Sequence, residues 1–286
     1  MASLNHPQTS NPGAYRLELR TVQAVAFKLL VEALKELLTD VNIEFDETGM
    51  KILTMDTSHV VLVHLKLNAD QFETYHCDGK ITVGVNMLNM HKLIKTINNN
   101  NTLCLFIDRE DVNHMGIRID NTEKNSRTTY KLNLLDLDYT EITVDPTNFL
   151  DVVTLPTTDF QKICRDMHNI AEFMEIRSVQ NQLIFSCNGD FCSQETVIYD
   201  SNSSASNQLV GGGAGGQEMM VAAAAGESDI VQGVFSIKHL VLFTKCTNLC
   251  STMDLHLRND YPIVLKYDVS SLGSIRLALA PQGGPH

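Results

Sequence analysis

Along most of this chain, apolar and polar residues alternate one by one in short runs. Gly49 to Met55, Val60 to Leu67 and Lys80 to Val85 are clear instances. Period-two runs bounded by turn residues put every second side chain on one face, which predicts half-buried antiparallel strands. More than a dozen such runs occur. Four segments break the rhythm. Gln23 to Leu38 carries Phe27, Leu30, Val31, Leu34 and Leu38 at three- and four-residue spacing, and Met87 to Ile97 does the same with Met87, Met90, Leu93, Ile94 and Ile97. Thr158 to His168 uses Phe160, Ile163, Cys164 and Met167; Ser236 to Cys246 uses Ile237, Leu240, Val241 and Thr244 more weakly. Each reads as an amphipathic helix with one apolar face. Thr158 or Asp159 is the expected cap of the third helix and Ser236 that of the fourth.

The order repeats. Each half reads strand, helix, several strands, helix, several strands. The halves meet near Asp136 to Asn148, a stretch with Pro146 and little periodicity, which reads as a linker. Asp200 to Gly216 is rich in Ser, Asn and Gly and includes Gly211-Gly-Gly-Ala-Gly-Gly216. It reads as a flexible loop. A phosphate-binding loop needs Gly-Lys-Ser or Gly-Lys-Thr at this point, and Gln217 follows instead.

Composition is ordinary for a globular chain of 286 residues, with 43% hydrophobic and 20% charged residues. No run of 18 apolar residues predicts a membrane helix. Met1 to Ala14 is polar, holds two prolines and lacks the pattern of a signal peptide. The seven cysteines have no C-x-x-C spacing and the histidines no H-x-x-x-H pattern. Buried reduced thiols and no zinc site are expected, in the cytosol or nucleus.

The net charge of -12 argues at first against nucleic acid, because phosphates repel acidic proteins. The positions of the basic residues argue the other way. The helical segments carry Lys28 and Lys35, Lys92 and Lys95, Lys162 and Arg165, Lys238 and Lys245. Spacings of three and seven return to one helical face. Acidic residues lie mostly in loops, with Glu32, Glu36, Asp159 and Asp166 as helical exceptions. Lys28 and Lys162 stand 134 residues apart, Lys92 and Lys238 146 apart, and the difference of 12 suits an insertion in the second half. One solvated helix with lysines is unremarkable; four in a duplicated order suggest a positive layer that holds phosphates without reading bases. Enzyme readings are poorly supported. Asp136 and Asp138 enter the linker, and Cys77 beside His76 points to the opposite face of its strand.

Several stretches are specific. Gln23 to Leu38, Ile52-Leu-Thr-Met-Asp-Thr-Ser-His-Val60, Phe72-Glu-Thr-Tyr-His-Cys-Asp78, Leu134-Leu-Asp-Leu-Asp138, Ile163-Cys-Arg-Asp166 and Leu279-Ala-Pro281 resemble the proliferating cell nuclear antigen family, from Tyr15 to Pro281. The resemblance implies an α+β fold of two similar sliding-clamp domains, with antiparallel sheets outside and helices lining a ring. Its implied limits are a disordered extension at 1–14, domains at 15–133 and 150–281, a connecting loop at 134–149, a flexible loop at 200–228 and a tail at 282–286. It implies a DNA sliding clamp and polymerase processivity factor without catalytic activity or cofactor. Implied partners are duplex DNA, DNA polymerase and other proteins with clamp-binding peptides, and a clamp loader; the implied place is the nucleus or a viral replication compartment.

The eight basic residues would then face DNA. The partner-peptide pocket would use Met55, His59, Val60, Leu62, Ile142, Val144, Pro262, Ala280 and Pro281, although Met55 and Leu62 taken singly read as core. A homotrimer would join through Arg127, Tyr130 and Leu132 on one edge and Phe191, Gln194 and Tyr199 on the other. The chain departs from the family at Leu277-Ala-Leu-Ala-Pro281, where an aromatic is usual, at a tail that is not acidic, and at Gln180, which aligns with a lysine the family modifies. A clamp-like scaffold that never loads onto DNA is the alternative reading.

Overall fold

The computed structural model describes residues 13–56, 58–138, 142–143, 149, 151–179, 182–199 and 230–283. The first half runs β1 (Tyr15–Thr21), α1 (Ala24–Leu37), β2 (Asp40–Asp46), β3 (Gly49–Met55), β4 (Val61–Asn68), β5 (Thr74–Cys77), β6 (Ile81–Asn86), α2 (Met87–Ile94), β7 (Asn101–Asp108), β8 (His114–Asn121) and β9 (Ser126–Asn133). The second runs β10 (Asp151–Pro156), α3 (Thr157–His168), β11 (Phe173–Val179), β12 (Gln182–Asn188), β13 (Ser193–Tyr199), β14 (Val231–Ser236), α4 (Ile237–Phe243), β15 (Thr252–Leu257), β16 (Ile263–Val269) and β17 (Gly273–Leu279). The expected extension at 1–14 (save Gly13 and Ala14), Val144, Gln180 and the loop at 200–228 lie outside the described residues.

The helices form where the three- and four-residue spacing put them. Phe27, Leu30, Val31 and Leu34 are buried in α1, and Phe160, Ile163, Cys164 and Met167 in α3. Their ends differ from expectation. Helix α3 starts at Thr157, with Pro156 at the cap position, so Thr158 and Asp159 sit inside the first turn. The Thr157 hydroxyl instead donates to the Cys250 carbonyl at 2.9 Å, tying the helix start to the turn before β15. Ser236 occupies the cap position of α4 but makes no side-chain cap bond. Asn86 caps α2, its side chain accepting from the Asn89 amide at 2.9 Å, which frees one fewer orphan N–H.

Among the described residues, the strands are all antiparallel and form three sheets: β5-β1-β7-β8-β9, β13-β12-β11-β14, and a central sheet of eight, β10-β15-β16-β17-β4-β3-β2-β6. Each half contributes four strands to the central sheet, and β17 of the second half pairs with β4 of the first. Burial relates the halves closely. Phe27, Leu30, Val31 and Leu34 correspond to Phe160, Ile163, Cys164 and Met167, 133 residues on, and Met87 and Met90 to Ile237 and Leu240, 150 residues on. This corrects the lysine intervals. Lys28 corresponds to Gln161 and Lys92 to Leu242, while Lys95 and Lys245 are true counterparts, so the earlier spacing mixed different faces of the repeat.

Candidate nucleic-acid interface and partner pocket

Among the described residues, the four helices pack in the order α2, α1, α4, α3, with the 3-10 segment Thr244–Asn248 closing α4 against α1 across the halves. Their apolar faces go to the sheets, so the opposite faces form a common surface. Lys92, Lys95, Lys162, Arg165, Lys238 and Lys245 are exposed there. Lys28 and Lys35 are half-buried. The Lys28 ammonium donates to the Ile97 carbonyl at 2.8 Å, and Lys35 pairs with Glu36. The Glu36 carboxyl is held below its usual range, mainly by the Lys35 hydrogen bond and further by the charges of Lys35, Lys245 and His91. His91 has its proton affinity lowered by burial first and then by Lys35 and Lys95. This histidine was missed in the sequence, although it stands four residues before Lys95 on the same helix.

The second group of residues gathers at the outer side of the β17–β4 junction. Asp56 organises the turn between β3 and β4. Its carboxylate accepts from the Val60 and Val61 amides at 2.9 and 2.8 Å and from the Ser58 hydroxyl. Burial pushes its pKa up, and these hydrogen bonds more than offset that, leaving it lowered. His59 takes a left-handed backbone, φ 58°, as the turn reverses. The Ala280 amide then donates to the Val60 carbonyl at 3.0 Å, which brings the end of the second half against the first.

Met55, Leu62, Ala278 and Val264 form a row across four strands on the face away from the helices. Met55 is 36% exposed and Leu62 half-buried, so neither is core. Val60, Ile142, Pro262, Ala280 and Pro281 are half-buried and His59 is exposed. The row ends at an aromatic cluster the sequence reading did not find. Phe149 lies 5.1 Å from the His256 ring and 5.8 Å from Tyr261, with the Arg258 guanidinium 5.5 Å over Tyr261. Phe149 and Tyr261 are distant in sequence, and no local spacing signals their meeting.

The third group lies on open edges. Among the described residues, strand β9 is outermost in its sheet and β13 outermost in another. Arg127 is exposed and bonded to Asp120 at 2.6 Å, Tyr130 is half-buried and Leu132 buried. Phe191 and Tyr199 are exposed and Gln194 half-buried. The Cys77–His76 pair makes a poor nucleophile site. Burial first, then Asp46 and Asp78, pushes the Cys77 thiol up to about 11, and His76 Nε2 faces Asp78 at 3.1 Å instead.

A chain that builds one strand-helix unit twice, with helices on one side and an unpaired edge at each end, has the architecture of a sliding-clamp protomer. Comparison with known families agrees. The N-terminal domain of proliferating cell nuclear antigen matches residues 16–141 and the C-terminal domain residues 143–282. A probable DNA polymerase sliding clamp of Paramecium bursaria Chlorella virus 1 is 34% identical over 267 residues, 92% of this chain and 95% of the relative. The proliferating cell nuclear antigen of Caenorhabditis elegans is 29% identical over 265 residues, 93% of this chain and 96% of the relative. The chain belongs to the proliferating cell nuclear antigen family of DNA sliding clamps.

Proposed function

We propose that three copies of this chain close into a ring around duplex DNA, with the helical layer inward, and hold a replicative DNA polymerase on its template. The observation that carries this reading is the exposure of six basic side chains on one helical surface of an acidic protein. Lysines there give flexible point-charge contacts to phosphates, which hold DNA loosely and read no sequence. The test is the triple reversal Lys92→Glu, Lys162→Glu and Lys238→Glu. Association with duplex DNA should weaken sharply and the salt dependence should flatten. Polymerase products made with loaded rings should shorten. Equal product lengths would sink the reading, and an unchanged salt slope would favour a scaffold that never encircles DNA.

The internal junction supports the ring. By the repeat, β9 corresponds to β17 and β13 to β4. Since β17 pairs with β4 inside the chain, β9 pairs with β13 of a neighbour, a head-to-tail contact that closes when repeated. Transposing the register sets Tyr130 opposite Gln194, Thr128 opposite Thr196 and Leu132 opposite Cys192 of the next copy. The number three rests on the family.

The row at Met55 and Leu62, with Ile142, Pro262, Ala280 and Pro281, is read as the pocket for partner peptides. Apolar side chains with a few polar contacts suit a short helical plug with aromatic anchors. Ile142→Asp should weaken such a peptide at least tenfold, equal to about 1.4 kcal/mol. In this reading the protein is not an enzyme, is opened by a clamp loader, serves repair as well as replication, and works in the nucleus or a viral replication compartment.

A further inference from the structure

The two halves treat one matching place differently. In the first half the chain covers the outer face of its own sheet. The Leu135 amide donates to the Gly84 carbonyl at 2.8 Å, and the Asn42 amide group donates to the Asp138 carbonyl at 3.1 Å. Gly84 is buried under this crossing, and a Cβ there would meet the Leu135 carbonyl oxygen and, at 2.8 Å, the Leu137 side chain. Asn42 faces Gly84 across β2 and β6. Glu175 faces Val234 in the same way across β11 and β14. The crossing recurs there, because the Gln282 amide donates to the Val234 carbonyl at 2.7 Å.

What lies beyond that bond differs in chemistry. Val234 is 37% exposed and its neighbour Phe173 38% exposed, whereas Gly84 is buried. Two residues past Leu135 comes Leu137, which lies over Gly84, while Val234 and Phe173 stay exposed beside Gln282. Phe173 and Val234 border a cleft of about 500 Å³ with Glu175, Arg177, Gln194 and Glu195. Arg177 bridges the two carboxylates, 3.7 Å from Glu175 and 3.2 Å from Glu195, so the cleft carries one net negative charge. Where Asn42 donates to a passing carbonyl, Glu175 can only accept.

We propose that this cleft is a second docking site, for an extended partner peptide that lays a leucine-like side chain on Phe173 and Val234 and a lysine or arginine against Glu175. The segment Leu134 to Asp138 gives the template for the backbone path, and the carboxylates of the cleft ask for the opposite charge. The cleft faces away from the helical surface; its Gln194–Glu195 wall is on β13, the edge proposed to join a neighbouring copy, whereas Phe173, Glu175 and Val234, which make the proposed contacts, are on β11 and β14.

The probes are labelled peptides, Leu-Leu-Lys-Leu-Lys and Leu-Leu-Asp-Leu-Asp, titrated against the full chain by fluorescence anisotropy, with assembly followed by light scattering. The lysine peptide should bind at least tenfold tighter than the aspartate peptide. Glu175→Gln, which keeps the shape and removes the charge, should weaken it about fivefold, and salt should weaken it further. A benzophenone amino acid in place of Phe173 should crosslink to the lysine peptide. Equal binding of both peptides would overturn the proposal. So would binding that survives Glu175→Gln and is lost on Ile142→Asp, which would assign the peptide to the other pocket. Crosslinks that land on the chain itself or on a second copy would assign the cleft to those occupants instead.

Discussion

The β17–β4 junction and the open edges β9 and β13 have the same place in the repeated unit and opposite side chains. Inside the chain, Ile275, Leu277 and Leu279 of β17 face Leu65, Val63 and Val61 of β4, and all six are buried. Their counterparts on the open edges are Thr128, Tyr130 and Leu132, and Thr196, Gln194 and Cys192. A junction within one chain forms once and stays closed, so it can be built as core. An edge that joins two copies faces water before assembly and must come apart again when a ring opens. Polar side chains on such an edge limit unwanted pairing. In the proposed ring, the difference separates a folding contact from an assembly contact.

The largest effect is expected at the inner junction. Leu277→Ala removes a fully buried side chain from the sheet that unites the halves, and should lower unfolding stability by about 2–5 kcal/mol. Chemical denaturation of the variant measures this; a loss near zero would mean that the halves stand independently. Thr129→Pro should behave in the opposite way, because the Thr129 amide, unlike that of Tyr130, points away from β8. It strips a ladder donor from an edge strand, so light scattering should find single chains while the denaturation midpoint of the monomer stays close to its former value. Intact assemblies of the variant would remove β9 from the interface.

A subtler test addresses register. The Ala280–Val60 bond makes that pair a hydrogen-bonded one, so the next pair, Leu279 and Val61, has its Cα atoms closer together. Transposed, Leu132 and the exposed Cys192 of a neighbour share that close geometry, within the range a disulfide needs. Leu132→Cys should crosslink copies under mild oxidation, seen on a non-reducing gel, and Lys131→Cys should not. Equal crosslinking by both would reject the register while leaving the interface in place.

Much of this was legible in the sequence because the elements are periodic. The buried stripe of α3 matches its spacing residue by residue, and that of α1 does so up to Leu34, with Leu38 half-buried at the cap position beyond the helix. Strand parity was available but underused. Met50 and Ile52 are buried, so Met55, an odd number of residues away, belongs to the outer face with Lys51 and Leu53. Leu62 between buried Val61 and Val63 follows the same rule. Helix caps were misread because Pro156 starts α3 earlier and the Thr157 hydroxyl serves a distant carbonyl. The aromatic cluster at Phe149, the Gly84 crossing and the cleft at Phe173 depend on contacts between remote segments, which no local pattern encodes.

The smallest expected effect tests the inner junction through pH. His64 of β4 stands opposite Arg276 of β17, and burial first, then Arg276, Lys51 and Lys66, lowers its proton affinity below the ordinary value of 6.5. The matching edge pair is Thr129 and Glu195, with no histidine. The unfolded chain takes up this proton as pH falls through 6.5, while the folded chain resists it until a lower pH. Stability from His64 is therefore fully present above 6.5 and is lost progressively as pH falls below it. Urea midpoints at about pH 7.5 and about pH 5.5 would read this, with His64→Gln as the comparison. Burial lowers the His256 proton affinity in both proteins, so its contribution cancels in the difference. The wild-type midpoint should fall further on acidification than that of His64→Gln, while the assembled fraction changes alike in both. Parallel shifts in the two proteins would mean that His64 is protonated as readily in the folded junction as in water, and that the junction is more open to solvent than its buried neighbours suggest.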